Sequence, residues 1–429
     1  MVWLGLLALV ILLLVLRQSL VLAVVTAYLH VFVANSKIEF LIQDFWFTVD
    51  REVLLSVPLF MLAGNVMSRG SIAKRLINFM SAFTAPIPGG LAVACVLSCA
   101  AFAAINGSSI VTMLAVGAIM HPALVARGYS QTYAIGAIAS AGTLGIIIPP
   151  SIPLILYGIM TEENIAHLFV AGIGPGLLLM TMFAGYSFWV NRHIARTPFS
   201  LAEVGQATYG GIYTGWFSPT EAGAVSLAYA LLIEFFVHAD EHAKPAPAGA
   251  GFGERVHHYL ATREMNLRTL IDVILETTKL LATQLPLLCI AGSLNTILDH
   301  SGVPKEMVKS LSEAITSPVV MMIGINILLL IFGCLIDVGS AILVLAPLLK
   351  PLAQSIGVDP VHFGIIMIAN LEIGYLTPPV GLNLIVAMAA FKVAFGTIVR
   401  SVIPFITIML IWLVIVIVYP TLSLGLLGR

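Results

Sequence analysis

The stretch GTLGIIIPPSIPLILYG, residues 142–158, is apolar enough to lie in a membrane but carries three prolines near its middle. Proline has no backbone N–H and its ring clashes with the preceding turn, so a helix that reaches Pro149 and Pro150 must unwind there. In the hydrocarbon region a carbonyl without a donor is costly, so such a break is tolerated only where it faces protein, water or an ion. The stretch therefore predicts a discontinuous helix, followed by a new helix whose N-terminal N–H groups favour an anion.

The rest of the chain is equally apolar. Of its 429 residues, 59% are hydrophobic and 10% are charged, and the mean hydropathy is +1.04. These values exclude a soluble domain, and the continuous apolar runs favour membrane helices over the alternating pattern of a barrel. The sequence therefore predicts an all-α polytopic protein in a lipid bilayer. Its net charge of −1 gives no reason to expect a nucleic-acid partner.

The two halves of the chain repeat each other. GTLGIIIPPSIPLI finds a counterpart in NLEIGYLTPPVGLNLI, and a single offset of 229 residues pairs several glycines and prolines, namely Gly145, Pro149 and Pro150 with Gly374, Pro378 and Pro379, Pro122 with Pro351, and Gly128 with Gly357. Upstream, AINGSSIVTMLA aligns with CLIDVGSAILVLA after a slip of two or three residues. Each half is then an apolar run, a polar break, an apolar run, a Pro-Gly turn, an apolar run, the Pro-Pro motif and a last apolar run. Interrupted hydrophobic segments at matching positions indicate a secondary transporter whose site lies between the repeats at the bilayer midplane.

The breaks supply oxygen atoms. Carbonyls of Gly145, Ile146 and Gly374 are expected to lose their helical donors, and residues 106–109 and 337–340 resemble the tips of re-entrant hairpins. Hydroxyl and carbonyl oxygens suit a hard monovalent cation better than Zn or Fe. Helix packing by small residues explains the serines of the first tip equally well. Asp337 is different, because an ionisable residue within a membrane run is functional by default.

Three motifs together carry a resemblance to a known family. SPTEAG (218–223), LIDVGSAILVLAPLL (335–349) and DPVHFGIIMIANLEIGYLTPPVGLNL (359–384) resemble the large membrane subunit of tripartite ATP-independent periplasmic (TRAP) transporters, the DctM-like family. The resemblance covers nearly the whole chain. It implies two inverted-topology repeats with re-entrant hairpins and discontinuous helices, an elevator-type mechanism, and sodium-coupled uptake of an organic acid. The acid could be a C4-dicarboxylate, a keto acid or a sugar acid. It also implies a multi-pass location in the bacterial inner membrane, a small DctQ-like membrane subunit and a periplasmic DctP-like binding protein.

The family's sites carry over to matching positions. One Na+ site would comprise Asn106, Gly107, Ser108, Ser109, Gly142, Gly145 and Pro149. The second would comprise Asp337, Gly339, Ser340, Gly374, Thr377 and Pro378. Substrate is expected between the hairpin tips and the half-helix N-termini, near Ser151, Thr377 and Asn383. The resemblance implies no catalytic residue and no organic cofactor.

This reading divides the chain into five segments: N-terminal scaffold helices (1–88), a first transport repeat (89–190), a connecting helix with a polar loop (191–266), a second scaffold segment (267–317), and a second transport repeat with the C-terminal helix (318–429). Between the first repeat and the loop, the connection at 197–209 is shorter than the family pattern.

Three alternatives stay open at this stage. One is a divalent-anion/sodium symporter-like carrier that works without a binding protein. Another is a membrane-embedded enzyme that uses Ser108, Ser109, Asp337 or Glu221, and the third is a channel. The enzyme lacks His partners within the same breaks, and a channel does not need paired discontinuities.

Overall fold

The computed structural model describes residues 39–70, 72–194, 219–234, 267–300 and 302–429. The apolar run Val2–Leu16, the short connection at 197–209, Ser218 and the polar loop over 238–266 lie outside these ranges. Every regular element in the described part is helical. Its first half comprises α1 (Glu39–Val49), α2 (Ser56–Arg69), α3 (Ile72–Thr84), α4 (Gly90–Asn106), α5 (Ser109–Ala126), α6 (Gln131–Ala141), α7 (Ile152–Thr161) and α8 (Ile165–Asn191), with 3-10 turns at Glu52–Leu55 and Gly142–Ile146.

The second half has the same order of elements. It comprises α9 (Pro219–Leu232), α10 (Leu267–His300), α11 (Val303–Ala314), α12 (Pro318–Leu335), α13 (Val338–Ser355), α14 (Pro360–Tyr375), α15 (Leu382–Phe391), α16 (Phe395–Val418) and α17 (Thr421–Leu424), with a last 3-10 turn at Gly425–Leu427. The continuous apolar runs of the sequence that fall on described residues are confirmed as helices: 56–67 lies on α2, 90–104 on α4, 168–190 on α8, 319–335 on α12 and 398–419, except its last residue, on α16.

Helices of membrane length occur in both halves. Within the described ranges, α5, α8, α12, α13 and α16 are long and apolar enough to cross a membrane. On α12 the exposed side chains Val319, Ile323, Ile327 and Ile331 recur every four residues and form one apolar stripe. A stripe of this kind on the outside of a helix fits a hydrocarbon solvent, because it would be costly to expose to water.

The structure corrects the predicted alignment of the hairpins. Helices α4 and α12 end at Asn106 and Leu335, and α5 and α13 run over Ser109–Ala126 and Val338–Ser355, all at the offset of 229 residues. The slip of two or three residues is therefore wrong, because the sequence comparison matched polar residues and not helix ends. A one-residue shift appears only after the Pro-Pro motif, where α7 begins at Ile152 and α15 at Leu382.

The predicted Pro-Gly turns are also only half correct. Pro122 and Pro351 lie inside α5 and α13, and the chain reverses at Gly128 and Gly357, which have φ angles of 85° and 84°. These left-handed conformations favour glycine. The next helix starts in both halves with a side-chain cap, since Ser130 accepts from the N–H of Tyr133 and its counterpart Asp359 accepts from that of Val361.

Each half packs its broken helix against the other half. The half-helix α7 contacts α13 of the second hairpin, and α15 contacts α5 of the first. Likewise α6 packs on α16, and α14 packs on α8. Through these reciprocal contacts, the broken helix of each half lies at the contact between the repeats.

Candidate functional site: two broken helices and the hairpin tips that face them

The first hairpin tip is shaped by the side chain of Asn106. Its Nδ2 donates to the carbonyl of Phe102 and to Oγ1 of Thr112, both at 2.9 Å, and its Oδ1 accepts from the N–H of Ser108 at 2.7 Å. Gly107, with φ 62°, lets the chain turn between α4 and α5. Thr112, which the sequence reasoning did not single out, also donates to the Ser108 carbonyl at 2.8 Å. The tip is thus a closed polar turn buried inside an apolar protein.

The first break lies directly on this tip. A Cβ atom on Gly107 would lie 2.7 Å from the Pro150 carbonyl oxygen, and one on Gly145 would lie 2.9 Å from the carbonyl oxygen of Ser108. One on Gly142 would lie 3.2 Å from the Ser109 carbonyl oxygen. The structure therefore brings together six residues of the first predicted ion site, Asn106, Gly107, Ser108, Ser109, Gly142 and Gly145. Pro149, the seventh, packs its ring near Gly172 of α8.

The carbonyl of Ile146, which has no helical donor because Pro150 lacks an N–H, accepts from a side chain instead. Ser151 is fully buried, and its Oγ donates to that carbonyl at 2.5 Å while accepting from the N–H of Leu154 at 3.3 Å. One hydroxyl therefore closes the break and caps α7 at the same time. The prediction that Ile146 loses its helical donor is confirmed, and a nearby side chain takes the place of that donor.

The second hairpin tip is built around Asp337. Its Oδ1 accepts from Oγ of Ser340 at 2.6 Å, and its Oδ2 accepts from the N–H of Ser340 at 2.9 Å. Gly339, predicted as a turn residue, lies inside α13, and Ile336 and Asp337 make the turn in extended conformations. Asp337, Gly339 and Ser340 also line a cavity of about 20 Å³.

The walls of that cavity come from several elements. They include Leu156 of α7 and leucines of α10, so the carboxylate lies where the second hairpin meets the first half-helix and the scaffold. A volume of this size is enough for one water molecule or a small ion.

The second break meets its hairpin mainly through backbone groups. The N–H of Gly381 donates to the Cys334 carbonyl at 3.2 Å, and the Tyr375 hydroxyl accepts from the N–H of Val338 at 2.8 Å. Thr377 donates its N–H to the Gly374 carbonyl at 2.9 Å, so that carbonyl, predicted to be unpaired, has a donor. It keeps a second lone pair.

The side chain of Thr377 faces its own helix. Its Oγ1 donates to the Ile373 carbonyl at 2.8 Å. Among the described residues no hydrogen bond joins Asp337 or Ser340 to Thr377. The residues of the second predicted ion site therefore form two neighbouring groups. Asp337, Gly339 and Ser340 lie at the hairpin tip, and Gly374, Thr377 and Pro378 lie at the break. Pro378 and Pro379 are exposed at the break, whereas Pro149 and Pro150 are half-buried.

One hydrogen bond joins the first tip to the second half-helix. The Nδ2 of Asn383, in the first turn of α15, donates to Oγ of Ser109 at 2.6 Å, and both residues are buried. This contact places a predicted substrate residue on a predicted ion site of the other half.

Sequence reasoning missed Glu372. This residue of α14 is fully buried, and Ser109 lies beside its carboxyl, although neither carboxyl oxygen accepts a hydrogen bond from a described residue. The signal was present, because Glu372 is an ionisable residue in the apolar run between two prominent motifs. It was overlooked because it stands outside the polar clusters on which the comparison of the halves focused.

Chemically, both breaks offer oxygen atoms. The groups near them are carbonyls, hydroxyls, amide oxygens and two carboxylates. No cluster of three or more His, Cys, Asp or Glu residues suited to a transition metal occurs in the described ranges. This donor set fits a hard cation.

Comparison with known proteins gives a consistent result. The family described as "Tripartite ATP-independent periplasmic transporter, DctM component" matches residues 3–422. The C4-dicarboxylate TRAP transporter large permease protein DctM of Pseudomonas aeruginosa is 37% identical over 396 residues, which cover 88% of this chain and 87% of that protein. The ectoine/5-hydroxyectoine TRAP transporter large permease protein UehC of Ruegeria pomeroyi is 31% identical over 419 residues, which cover 92% and 91%.

The fold also resembles that of the YdaH transporter of Alcanivorax borkumensis. The TM-score is 0.59 with 14% sequence identity, over 96% of this chain and 99% of that one, a likeness that concerns the fold alone. The match to the family extends over both repeats and both breaks. This chain therefore belongs to the DctM family and is the large permease subunit of a TRAP transporter, a multi-pass membrane transport protein and not an enzyme.

Proposed function

We propose that this subunit imports an organic acid across the bacterial inner membrane in symport with sodium, by an elevator motion of the two hairpins and broken helices against the remaining helices. The observation that carries the proposal is the duplicated break. In each half a helix is interrupted at a Pro-Pro motif and lies against a polar hairpin tip, and each broken helix packs on the other half. Paired discontinuities at a repeat interface are typical of ion-coupled carriers.

Sodium is the cargo that suits the breaks. The first would hold an ion with oxygens of Asn106, Ser108, Ser109 and the backbone of the 3-10 turn, and the second with oxygens of Asp337, Ser340 and the backbone around Gly374. If more sodium charges than substrate charges cross, each excess charge gains roughly 2.3 kcal/mol per 100 mV of inside-negative potential.

The substrate carboxylate would lie near the N-termini of the half-helices. Of the three predicted substrate residues, Thr377 lies beside the exposed Pro378, so it is the one we place at the rim of the site. Ser151 and Asn383 are buried and hydrogen-bonded, and we assign them to shaping the N-termini of α7 and α15. A C4-dicarboxylate is the first candidate substrate, because the Pseudomonas relative is named for it.

Two partners complete the proposed transporter. A small DctQ-like membrane subunit would bind this chain within the bilayer, and a periplasmic DctP-like binding protein would deliver the acid. The family description as one component of a tripartite transporter supports this assignment.

Uptake into proteoliposomes tests the proposal. Vesicles containing this chain and its small subunit, supplied with the binding protein and a radiolabelled C4-dicarboxylate, should accumulate substrate when sodium is outside and a negative potential is inside. Equal uptake after sodium is replaced by potassium would remove sodium from the mechanism. Equal uptake without the binding protein would favour the symporter-like alternative.

A further inference from the structure

Glu372 carries a buried carboxyl that lies beside the hydroxyl of Ser109 but has no cationic partner in the part of the chain that the structure describes. It is fully buried on α14, and no ion pair among the described residues includes it. Neither of its oxygens accepts a hydrogen bond there. An ionised carboxylate in such surroundings costs several kcal/mol unless a positive charge accompanies it.

The side chains next to Glu372 are polar but uncharged. Its neighbour Ser109 already accepts from Nδ2 of Asn383 at 2.6 Å, and Oδ1 of Asn383 has no hydrogen-bond partner in the described part of the chain. The donors in this cluster are the hydroxyl of Ser109 and the second hydrogen of the Asn383 amide, and both are uncharged. The cluster of Glu372, Ser109 and Asn383 lacks positive charge, which is what a bound cation supplies.

The position of this cluster connects it with the first break. Ser109 opens α5 at the first hairpin tip, and α14 contacts the 3-10 turn Gly142–Ile146. The residues predicted for the first ion site are one asparagine, two serines, three glycines and a proline, so that site has no carboxylate of its own. The second site has Asp337.

We propose that Glu372, contributed by the second half of the chain, is the carboxylate that balances the charge of the cation bound at the first break. The proposal deepens the sodium symport described above and depends on it. Each break then has one carboxylate, and each lies against the opposite half: Glu372 against the first hairpin tip, and Asp337 in a cavity lined by Leu156 of α7. An ion at the first break would therefore hold the two halves together.

Sodium-dependent thermal stability tests the proposal by a readout other than transport. The full-length chain, purified in detergent with its small subunit, is melted at constant ionic strength while potassium is exchanged for sodium. Glu372→Gln, which has the shape of a neutral carboxyl, should raise the sodium concentration for half-maximal stabilisation by about tenfold or more, a change equal to about 1.4 kcal/mol. In an Asp337→Asn background the same substitution should abolish the remaining sodium-specific shift.

Glu276→Gln is the matched control, since Glu276 pairs with Arg69 at 2.8 Å on exposed side chains away from the breaks. It should leave the sodium midpoint unchanged. A Glu372→Gln midpoint equal to that of the natural protein would overturn the proposal, because Glu372 would then be neutral. If Glu372→Gln does not fold, Glu372→Asp replaces it: this variant keeps the charge and should keep a sodium-specific shift, and complete loss of the shift would overturn the proposal. Identical melting of the natural protein in sodium and potassium would instead contradict the proposed sodium coupling itself.

Discussion

The two half-helices follow the same break but end in different surroundings. At the end of α7, three consecutive carbonyls each accept a hydrogen bond from a side chain. Ile159 accepts from Arg51 at 2.8 Å, Met160 from Asn295 at 3.4 Å, and Thr161 from Lys350 at 2.6 Å. At the end of α15, no side chain from the described residues donates to the last carbonyls. All ten residues of α7 are buried, whereas only Asn383, Leu384 and Ala387 of α15 are.

This difference shows that a duplicated sequence pattern can give two similar broken helices whose ends are held by different numbers of side-chain hydrogen bonds. Donors at a helix C-terminus satisfy its unpaired carbonyls, and cations also complement the helix dipole. The donors for α7 come from the N-terminal segment, from α10 and from α13. The first half-helix is therefore held at both ends in this conformation, while α15 is held at its N-terminal end by Asn383 on Ser109.

The largest effect is expected at the first hairpin tip, where a left-handed glycine lies against the break, and a left-handed glycine in an open turn is its control. Gly107→Ala combines a left-handed φ of 62° with a Cβ atom 2.7 Å from the Pro150 carbonyl oxygen, so we expect a loss of at least about 3 kcal/mol of unfolding free energy. Gly128→Ala has φ 85° but meets no atom within 4 Å, and should cost about 1–2 kcal/mol. Melting curves in detergent measure both. Equal destabilisation of the two variants would show that close packing of Gly107 against the Pro150 carbonyl does not contribute to stability.

Asp337 and Asp359 both cap the N-terminus of a helix, but only Asp337 lies at a hairpin tip. Asp337→Asn keeps one oxygen for the N-terminus of α13 but removes the charge, so stability should change by less than about 1 kcal/mol while sodium-driven uptake falls at least about tenfold. Asp359→Asn makes the same change at the N-terminus of α14, away from both breaks. Uptake by that variant should stay near the natural level. A similar loss of uptake in both variants would mean that Asp337 acts only as a helix cap and not in sodium coupling.

A smaller effect is expected at the fixed end of α7. Lys350→Met removes the donor to Thr161 and the ion pair with Glu163 at 2.6 Å, both partly buried, and should cost about 1–3 kcal/mol. Lys392→Met, at the end of α15, should cost less than about 0.5 kcal/mol because Lys392 is exposed. Chemical or thermal unfolding checks both. A larger loss at Lys392 would contradict the asymmetry between the half-helices.

The smallest effect concerns the outer contact of the same end. Arg51 and Glu162 approach to 3.9 Å on largely exposed side chains, so Glu162→Gln should change stability by less than about 0.5 kcal/mol. Glu163→Gln, one residue further on, should cost more because its partner Lys350 is shielded from solvent. Added salt should reduce the stability change caused by Glu162→Gln, because salt screens exposed ion pairs. The change caused by Glu163→Gln should depend less on salt.

Local chemistry explains which parts of the site the sequence could predict. Proline and glycine act on their own backbone, so both breaks, both hairpin tips and the starts of α7 and α15 were predictable from the Pro-Pro motifs and the polar clusters. The turn residues at Gly128 and Gly357 followed from the same reasoning, although the prolines before them proved to be helical.

Contacts across the chain were not predictable in this way. The hydrogen bond from Asn383 to Ser109 and the position of Glu372 beside Ser109 depend on which side chain faces which neighbour. A repeat comparison cannot supply them, because Glu372 has Thr143 as its counterpart and Asn383 has an apolar or proline residue at either offset.

By itself the sequence determined that this chain is a duplicated set of membrane helices, each half broken at a Pro-Pro motif, because hydrophobicity and the missing N–H of proline act locally. The tertiary structure decided that the first break is completed by side chains of the other half. Glu372 and Asn383 reach the first tip, and Lys350 of the second hairpin holds the end of α7. The physical reason is that charge balance and hydrogen-bond satisfaction within an apolar interior are properties of neighbours in space, and the packing of one half against the other brings those neighbours together.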